Sequence, residues 1–216
     1  DVMCTSDEDE WIPLYIKLHG INETELLDKV EQKTGMDPAV FLDEARFEKE
    51  VASKIREAVE KAFRAEAAQP AGDAAELSDA SLASLKTALS AELKTLIGDP
   101  ETLVEKIKGR QPASVADFII IETRNRFQYE KGKIQREENS SVNRAFAEEH
   151  VKARANAVNC AGSYFSALFV DAKKADILYY AQQEQVANIF YADPSFQIAP
   201  TLSHIAGQVD ADSSAD

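Results

Sequence analysis

Cysteine is almost missing from this chain: Cys4 and Cys160 are the two present in 216 residues. Two thiols cannot staple a disulfide scaffold, and their separation excludes the spacing of a zinc knuckle. A single Cys4–Cys160 bridge would suit an exported protein, and two free thiols are the plainer reading. Glycine and proline are also scarce, at 8 and 7 residues, which excludes a collagen-like chain. There is no long apolar run. The nearest, Ala157 to Val170, covers roughly 14 residues and is interrupted by Asn159, Gly162, Ser163 and Ser166, short of the roughly 20 that a membrane-spanning helix needs. No basic segment followed by an apolar one opens the chain. It begins with Asp1 and not Met, so the expectation is a processed chain, exported or organelle-targeted, or a fragment.

Positive charge is in short supply, with 24 Lys and Arg against 38 Asp and Glu and a formal net charge of -14. Such a chain repels polyphosphates and anionic lipid at long range, so nucleic acid and membrane surfaces are disfavoured as partners of the whole molecule. Catalytic motifs are absent too. Gly162-Ser163 lacks the flanking pattern of a nucleophile elbow, no glycine-rich phosphate loop occurs, and Cys160 has no basic neighbour to activate it. The Glu-x-x-His pairs of di-iron bundles are not formed by His19, His150 or His204. Glu148, Glu149 and His150 could hold a cation weakly, but they read first as a solvated helix face. No cofactor is expected.

The chain does hold enough apolar residues, 44%, to fill a core. Acids crowd its ends, with five and no base in Asp1–Glu10, and Asp210, Asp212 and Asp216 at the other end. Both ends read as solvated tails. Trp11–His19 alternates, with Leu14, Ile16 and Leu18 on one face, but Pro13 confines a strand there to an edge or an extended arm. Helical punctuation follows. Asn22 with Glu25 resembles a capping box opening a helix that ends at Gly35. Asp37-Pro38 opens a long one carrying Val40, Phe47, Val51, Ile55, Val59 and Ala62 at helical spacing. Residues 69–75 form a linker. Ser78 caps a helix with Leu82, Leu85, Leu89, Leu93 and Leu96, closed by Gly98, and Asp99-Pro100 starts a short helix through Ile107. Ser114 caps the next. Between Val115 and Asp193 there is no proline, so long helices are expected, interrupted or bent at Glu138–Ser141, where Asn and Ser favour turns. Ile119–Ile121 is β-branched but lacks a partner strand, and helix is preferred there.

These signals predict an all-α fold, an elongated antiparallel helical bundle whose long helices pack lengthwise like a coiled coil, with a short extended N-terminal arm and acidic disordered tails. The expected divisions are an arm over 1–20, a bundle over 21–193 and a proline-containing acidic tail over 194–216.

Several groups of residues are candidates for binding. The stretch 124–136 carries Arg124, Arg126, Lys131, Lys133 and Arg136 with Phe127 and Tyr129 interleaved, a composition used to stack bases or hold anions. Its plain reading is a solvated basic face with the aromatics turned inward. Tyr179, Tyr180, Phe190, Tyr191 and Phe196 form an aromatic end that seals a bundle or, if exposed, makes a docking patch. Small residues around Cys160 suit a close helix crossing. Asn22 and Asn139 fit the glycosylation pattern at expected helix boundaries. The functional expectation is a non-enzymatic structural or interaction protein that docks on other protein subunits within an assembly. The alternative is a secreted or surface-exposed bundle that binds a ligand or host protein, and a cofactor-binding bundle ranks third. Periodicity and composition leave the oligomeric state open.

Overall fold

The computed structural model describes residues 8–67, 78–108, 110, 112–160 and 165–192. Two compact units divide the chain, one made of Ile21–Gln135 and the other of Asp1–Gly20 with Arg136–Asp216. The linker expected at 69–75, the tail at 194–216, Cys4 and Phe196 lie outside the described residues.

The unit Ile21–Gln135 is helical, and its helices begin and end at chemistry visible in the sequence. Helix α1, Glu23–Thr34, is capped by the Asn22 side chain, which accepts from the Glu25 amide, and it ends at Gly35 with φ 71°. Helix α2, Pro38–Leu42, is capped by Asp37. It stops after five residues because Asp43 takes an extended backbone and its carboxylate accepts from the Ala45 and Arg46 amides, opening α3, Glu44–Phe47. A side chain that caps a new helix competes with continuation of the old one. The single long helix expected from Pro38 is therefore broken at Asp43.

From Glu44 the helix continues through a wider π-helical turn, Glu48–Ala52, into α4, Ser53–Ala67. Phe47, Val51, Ile55 and Val59 are all buried. Repeated spacings of four drift around a helix of 3.6 residues per turn, and the wider turn keeps the stripe on one face. Helix α5, Asp79–Ile97, is capped by Ser78 and closed by Gly98 at φ 76°. Its Leu82, Leu85, Leu89 and Leu93 pack with the α4 stripe and with Val115 and Ile119. Helix α6, Pro100–Ile107, is capped by Asp99. A second cluster joins Leu26, Val30, Met36, Phe127 and Ile134, with Phe41 stacked on Phe127 at 4.4 Å and 3°.

Helix α7, Pro112–Phe146, supplies residues to both units and passes into a second π-helical turn, Ala147–Val151. Ser114 lies inside its first turn and does not cap it, while Ile119–Ile121 is helical as expected. The expected break at Glu138–Ser141 does not occur. Asn139 is buried and accepts from the Ser166 hydroxyl at 2.8 Å, and Asn143 donates to the Phe165 carbonyl. Side chains engaged by a distant segment no longer compete with the helix's own backbone. Gly20 makes room for this contact, since a Cβ there would stand 2.7 Å from Ser166 Oγ.

The second unit overturns the all-α, coiled-coil expectation. The helix expected from Val142 to Tyr191 holds as far as Val151, and beyond it the structure has strands β2, Ala157–Cys160, and β3, Ala167–Lys173, then the short helix α8, Ile177–Ala181, and strand β4, Val186–Tyr191. With β1, Trp11–Leu18, these strands form an antiparallel sheet in the order β2-β3-β1-β4. Ala157–Cys160 therefore forms a strand and not the helix crossing expected there, while residues 161–164 lie outside the described residues. Nor is Trp11–Leu18 an arm, because it lies between β3 and β4. Pro13 is tolerated inside the sheet for a local reason. Its carbonyl accepts from Ala192, just past the end of β4, so its nitrogen, facing the same side, points where the ladder is ending and no donor is required. Ile12, Leu14, Ile16, Leu168 and Val170 pack the inner face against Phe146, Val151 and Tyr180.

Candidate functional site

Alternation along β1 sends Ile12, Leu14, Ile16 and Leu18 into the core and leaves Trp11, Tyr15 and Lys17 on the opposite face. The pairing register then builds an aromatic row that no contiguous stretch of sequence contains. Tyr15 stands opposite Phe169 of β3 and Phe190 of β4, with ring centroids 5.0 Å and 6.1 Å away. Trp11 stands opposite Lys173, whose ammonium lies 5.8 Å from the indole and 2.9 Å from Asp9. Trp11 is 41% exposed and Phe190 48%. The core behind the sheet draws on inner-face residues, so the outer face carries rings that the unit's own core does not use.

At one side of this face lies β4, which with β2 is one of the two outer strands of the sheet. The Ala192 to Pro13 hydrogen bond and the register Tyr15 to Phe190 make Phe190 and Asn188 the residues whose backbone faces β1. The backbone groups of Ile189 and Tyr191 therefore point away from the sheet. Among the described residues, the Ile189 amide donates to the neighbouring Asn188 side chain, at 3.0 Å. A register shift near Lys17 and Leu18 leaves Ala187 as an extra residue before the regular part of the strand.

Behind the sheet, polar groups are buried with partners missing. His150, expected on a solvated face, instead sits in the second π-helical turn against Phe146, with Nδ1 3.0 Å from the Tyr179 hydroxyl. Its Nε2, the Tyr180 hydroxyl and Asn143 Oδ1 are buried without a hydrogen-bond partner among the described residues. Burial, with Asp176 adding to it, pushes the Tyr180 hydroxyl up to about 12. Tyr179 is covered by the Arg154 guanidinium at 3.8 Å, which also pairs with Asp176. Thus Tyr179 and Tyr180 line the core side, whereas Phe190 and Tyr191 are exposed. Of the described aromatics expected there, Phe190 lies on the outer face with Tyr15, whereas Tyr191, opposite Leu14, is on the core side of the sheet with Tyr179 and Tyr180 although it is exposed.

The basic stretch on α7 is largely engaged within its own unit. Arg124 pairs with Glu44 and lies over the Phe47 ring at 3.9 Å, Arg126 donates to the Thr95 carbonyl, and Lys131 pairs with Glu23. Phe127 is buried and Tyr129 exposed. Lys133 is exposed, and Arg136 falls in the other unit. Arg126 and Tyr129 border a cleft of about 360 Å³ with Asp99, Thr102, Lys106 and Glu122. There the Thr102 hydroxyl and amide hold the Asp99 carboxyl below its usual range, and Lys106 does the same for Glu122. Opposite charges already answer one another in this cleft. Asn22 is exposed and occupied as a helix cap, whereas Asn139, expected at an exposed boundary, is buried and leaves no room for a glycan in the folded unit. Cys160 ends β2.

No protein-family model, curated protein or solved structure matches the chain. Among the described residues no group of His, Cys, Asp and Glu could hold a metal ion, and no helix is long and apolar enough to cross a membrane. Of the outer-face rings, sequence reasoning found Phe190 but missed Trp11, Tyr15 and Phe169. The alternation of β1 carried a signal for the first two. Phe169 needed the register.

Proposed function

We propose that this is a non-enzymatic interaction protein that docks on other proteins through the outer face of its sheet. The observation that carries this reading is the row Phe169, Tyr15 and Phe190, with Trp11 farther along the same face of β1, on the side of the sheet away from the core formed by the described residues. Rings held by a sheet lose little freedom on binding, and exposed aromatic clusters mark interfaces more often than they mark isolated monomers. The net charge favours a basic partner over nucleic acid.

Affinity capture from the native source, comparing the wild type with Trp11→Ser/Phe190→Ser, tests this. Tyr129→Ser, at an exposed aromatic away from the row, serves as the control. With circular dichroism unchanged, the double variant should lose a partner that the wild type and the control retain, through a weakening of about 30-fold or more if these rings are anchors. Identical captured sets for all three proteins would refute the reading.

A further inference from the structure

We propose that the outer face of β1 receives a proline-rich segment of a partner protein, held as a polyproline II helix along the line from Trp11 to Lys17, with a base at the Trp11 end and an acid at the Lys17 end. This rests on the interaction reading and names the chemistry of the partner that the same face would receive. Shape comes first. Trp11, Pro13 and Tyr15 share the outer face of β1 at every second position, so two large rings stand about 13 Å apart along the strand with the small, half-buried Pro13 between them. Pro13 thus floors a notch between two rings. Beside it, Tyr15 is tilted by 56° against Phe169 and by 43° against Phe190. The rings therefore make a ridged surface, unlike the flat platforms on which successive bases stack. Grooves between aromatic ridges are where proline-rich segments seat.

Hydrogen-bonding capacity points the same way. Asn188 uses its Oδ1 on the Ile189 amide, which leaves its Nδ2 to donate. The Trp11 indole N–H, the Tyr15 hydroxyl and the Lys17 ammonium have no hydrogen-bond partner among the described residues. Asp171, opposite Pro13, already accepts from Asn156. The face thus offers mainly donors. A polyproline II segment is the complement, because its carbonyls are free to accept and its prolines have no N–H to satisfy. Charge sets its ends. Of the acids before Trp11, Asp9 is paired with Lys173, whereas Glu8 and Glu10 are exposed and form no ion pair among the described residues. Lys17, at the far end, is exposed and likewise without an ion pair there. A base on the segment answers the two glutamates, and an acid answers the lysine. From Glu10 to Lys17 the strand advances roughly 23 Å, the length of about eight residues of polyproline II. No Pro-x-x-Pro occurs in the chain, so a second copy does not supply such a segment.

Trp11 is the single tryptophan of the chain, so its fluorescence reads this site directly in the full-length protein. The probe is the peptide acetyl-Arg-Pro-Leu-Pro-Pro-Leu-Pro-Glu-amide, which has no aromatic residue of its own. Titrating it should change the Trp11 emission to saturation below about 1 mM. A version with Gly for every Pro has to be ordered on binding and should bind about tenfold more weakly or worse. Lys17→Glu, at an exposed position, should weaken the probe about fivefold, and a probe with Lys in place of its Glu should restore the affinity to that variant. Phe190→Ser should weaken the probe about tenfold, and Tyr129→Ser should leave it unchanged. No saturable change at millimolar probe, equal binding of the Gly version, or no effect of the charge exchange at Lys17 would each overturn the proposal. So would equally tight binding of the strand-forming peptide acetyl-Arg-Val-Thr-Val-Thr-Val-Thr-Glu-amide, or an emission change on dilution without peptide, which would assign the face to a second copy. The capture experiment above judges the broader reading separately: a partner lost by the Trp11→Ser/Phe190→Ser variant, with no binding of the probe, would keep docking on this face and sink its proline-rich occupant.

Discussion

Tyr180 carries a hydroxyl that the fold does not use. Its ring is fully buried, its oxygen has no hydrogen-bond partner among the described residues, and burial raises its ionisation to about 12 from the usual 10. A buried hydroxyl without a partner costs stability, and removing it at constant shape is neutral or favourable. Tyr180→Phe is therefore expected to leave stability at pH 7 unchanged or to raise it by about 1 kcal/mol, read by urea denaturation. The pH dependence has a definite sign. Because the folded state holds the phenol proton more tightly than the unfolded chain, this group's contribution is complete below pH 10 and is lost as pH climbs through about 12. The phenylalanine variant should lose less stability than the wild type across that interval. A large loss at pH 7 would mean that the hydroxyl has a partner after all.

Asp43 decides where two helices meet. Its carboxylate accepts from the Ala45 and Arg46 amides, satisfying groups at the start of α3 that have no partner within the helix. Asp43→Ala should cost about 1 kcal/mol, seen as a lowered midpoint in urea with an unchanged slope. Asp43→Asn, which keeps an accepting oxygen, should recover most of it, and equal losses for the two would show that the cap is not what matters. Such local chemistry explains how much of the fold is legible in the sequence. Asn22 with Gly35, Asp37-Pro38, Ser78 with Gly98 and Asp99-Pro100 each act within a few residues, and each stands where the sequence placed it. Asp43 had the same chemistry but neither glycine nor proline beside it, so it was overlooked. β2, β3 and β4 were misread because lack of proline is weak evidence for helix, while β3 and β4 pair with β1 more than a hundred residues away and β2 pairs in turn with β3. The candidate face shared that fate: Tyr15 is adjacent to Phe169 and Phe190 only once the register is known.

At the scale of the molecule, the question is whether each unit holds itself together. Helices of the lengths of α1, α2 and α6 are marginal alone in water and persist by burying an apolar stripe. Within Ile21–Gln135 every such stripe finds its partner inside the same unit: Phe47, Val51, Ile55 and Val59 against Leu82, Leu85, Leu89 and Leu93, and Leu26 and Val30 against Phe127 and Ile134. The other unit has its own cluster behind the sheet, built from β1 and residues beyond Arg136. A fragment comprising residues 21–135 should therefore fold by itself, giving a helical circular dichroism spectrum that melts in one cooperative transition. Cooperativity has to be tested through the core, because helices that merely form side by side would also give the spectrum. Leu89 is fully buried between α4 and α5, so Leu89→Ala in the fragment should remove about 2–5 kcal/mol, lowering the melting temperature by many degrees. A broad melt that this substitution leaves in place would show that the clusters do not act as one core, and that this unit needs the rest of the chain to fold.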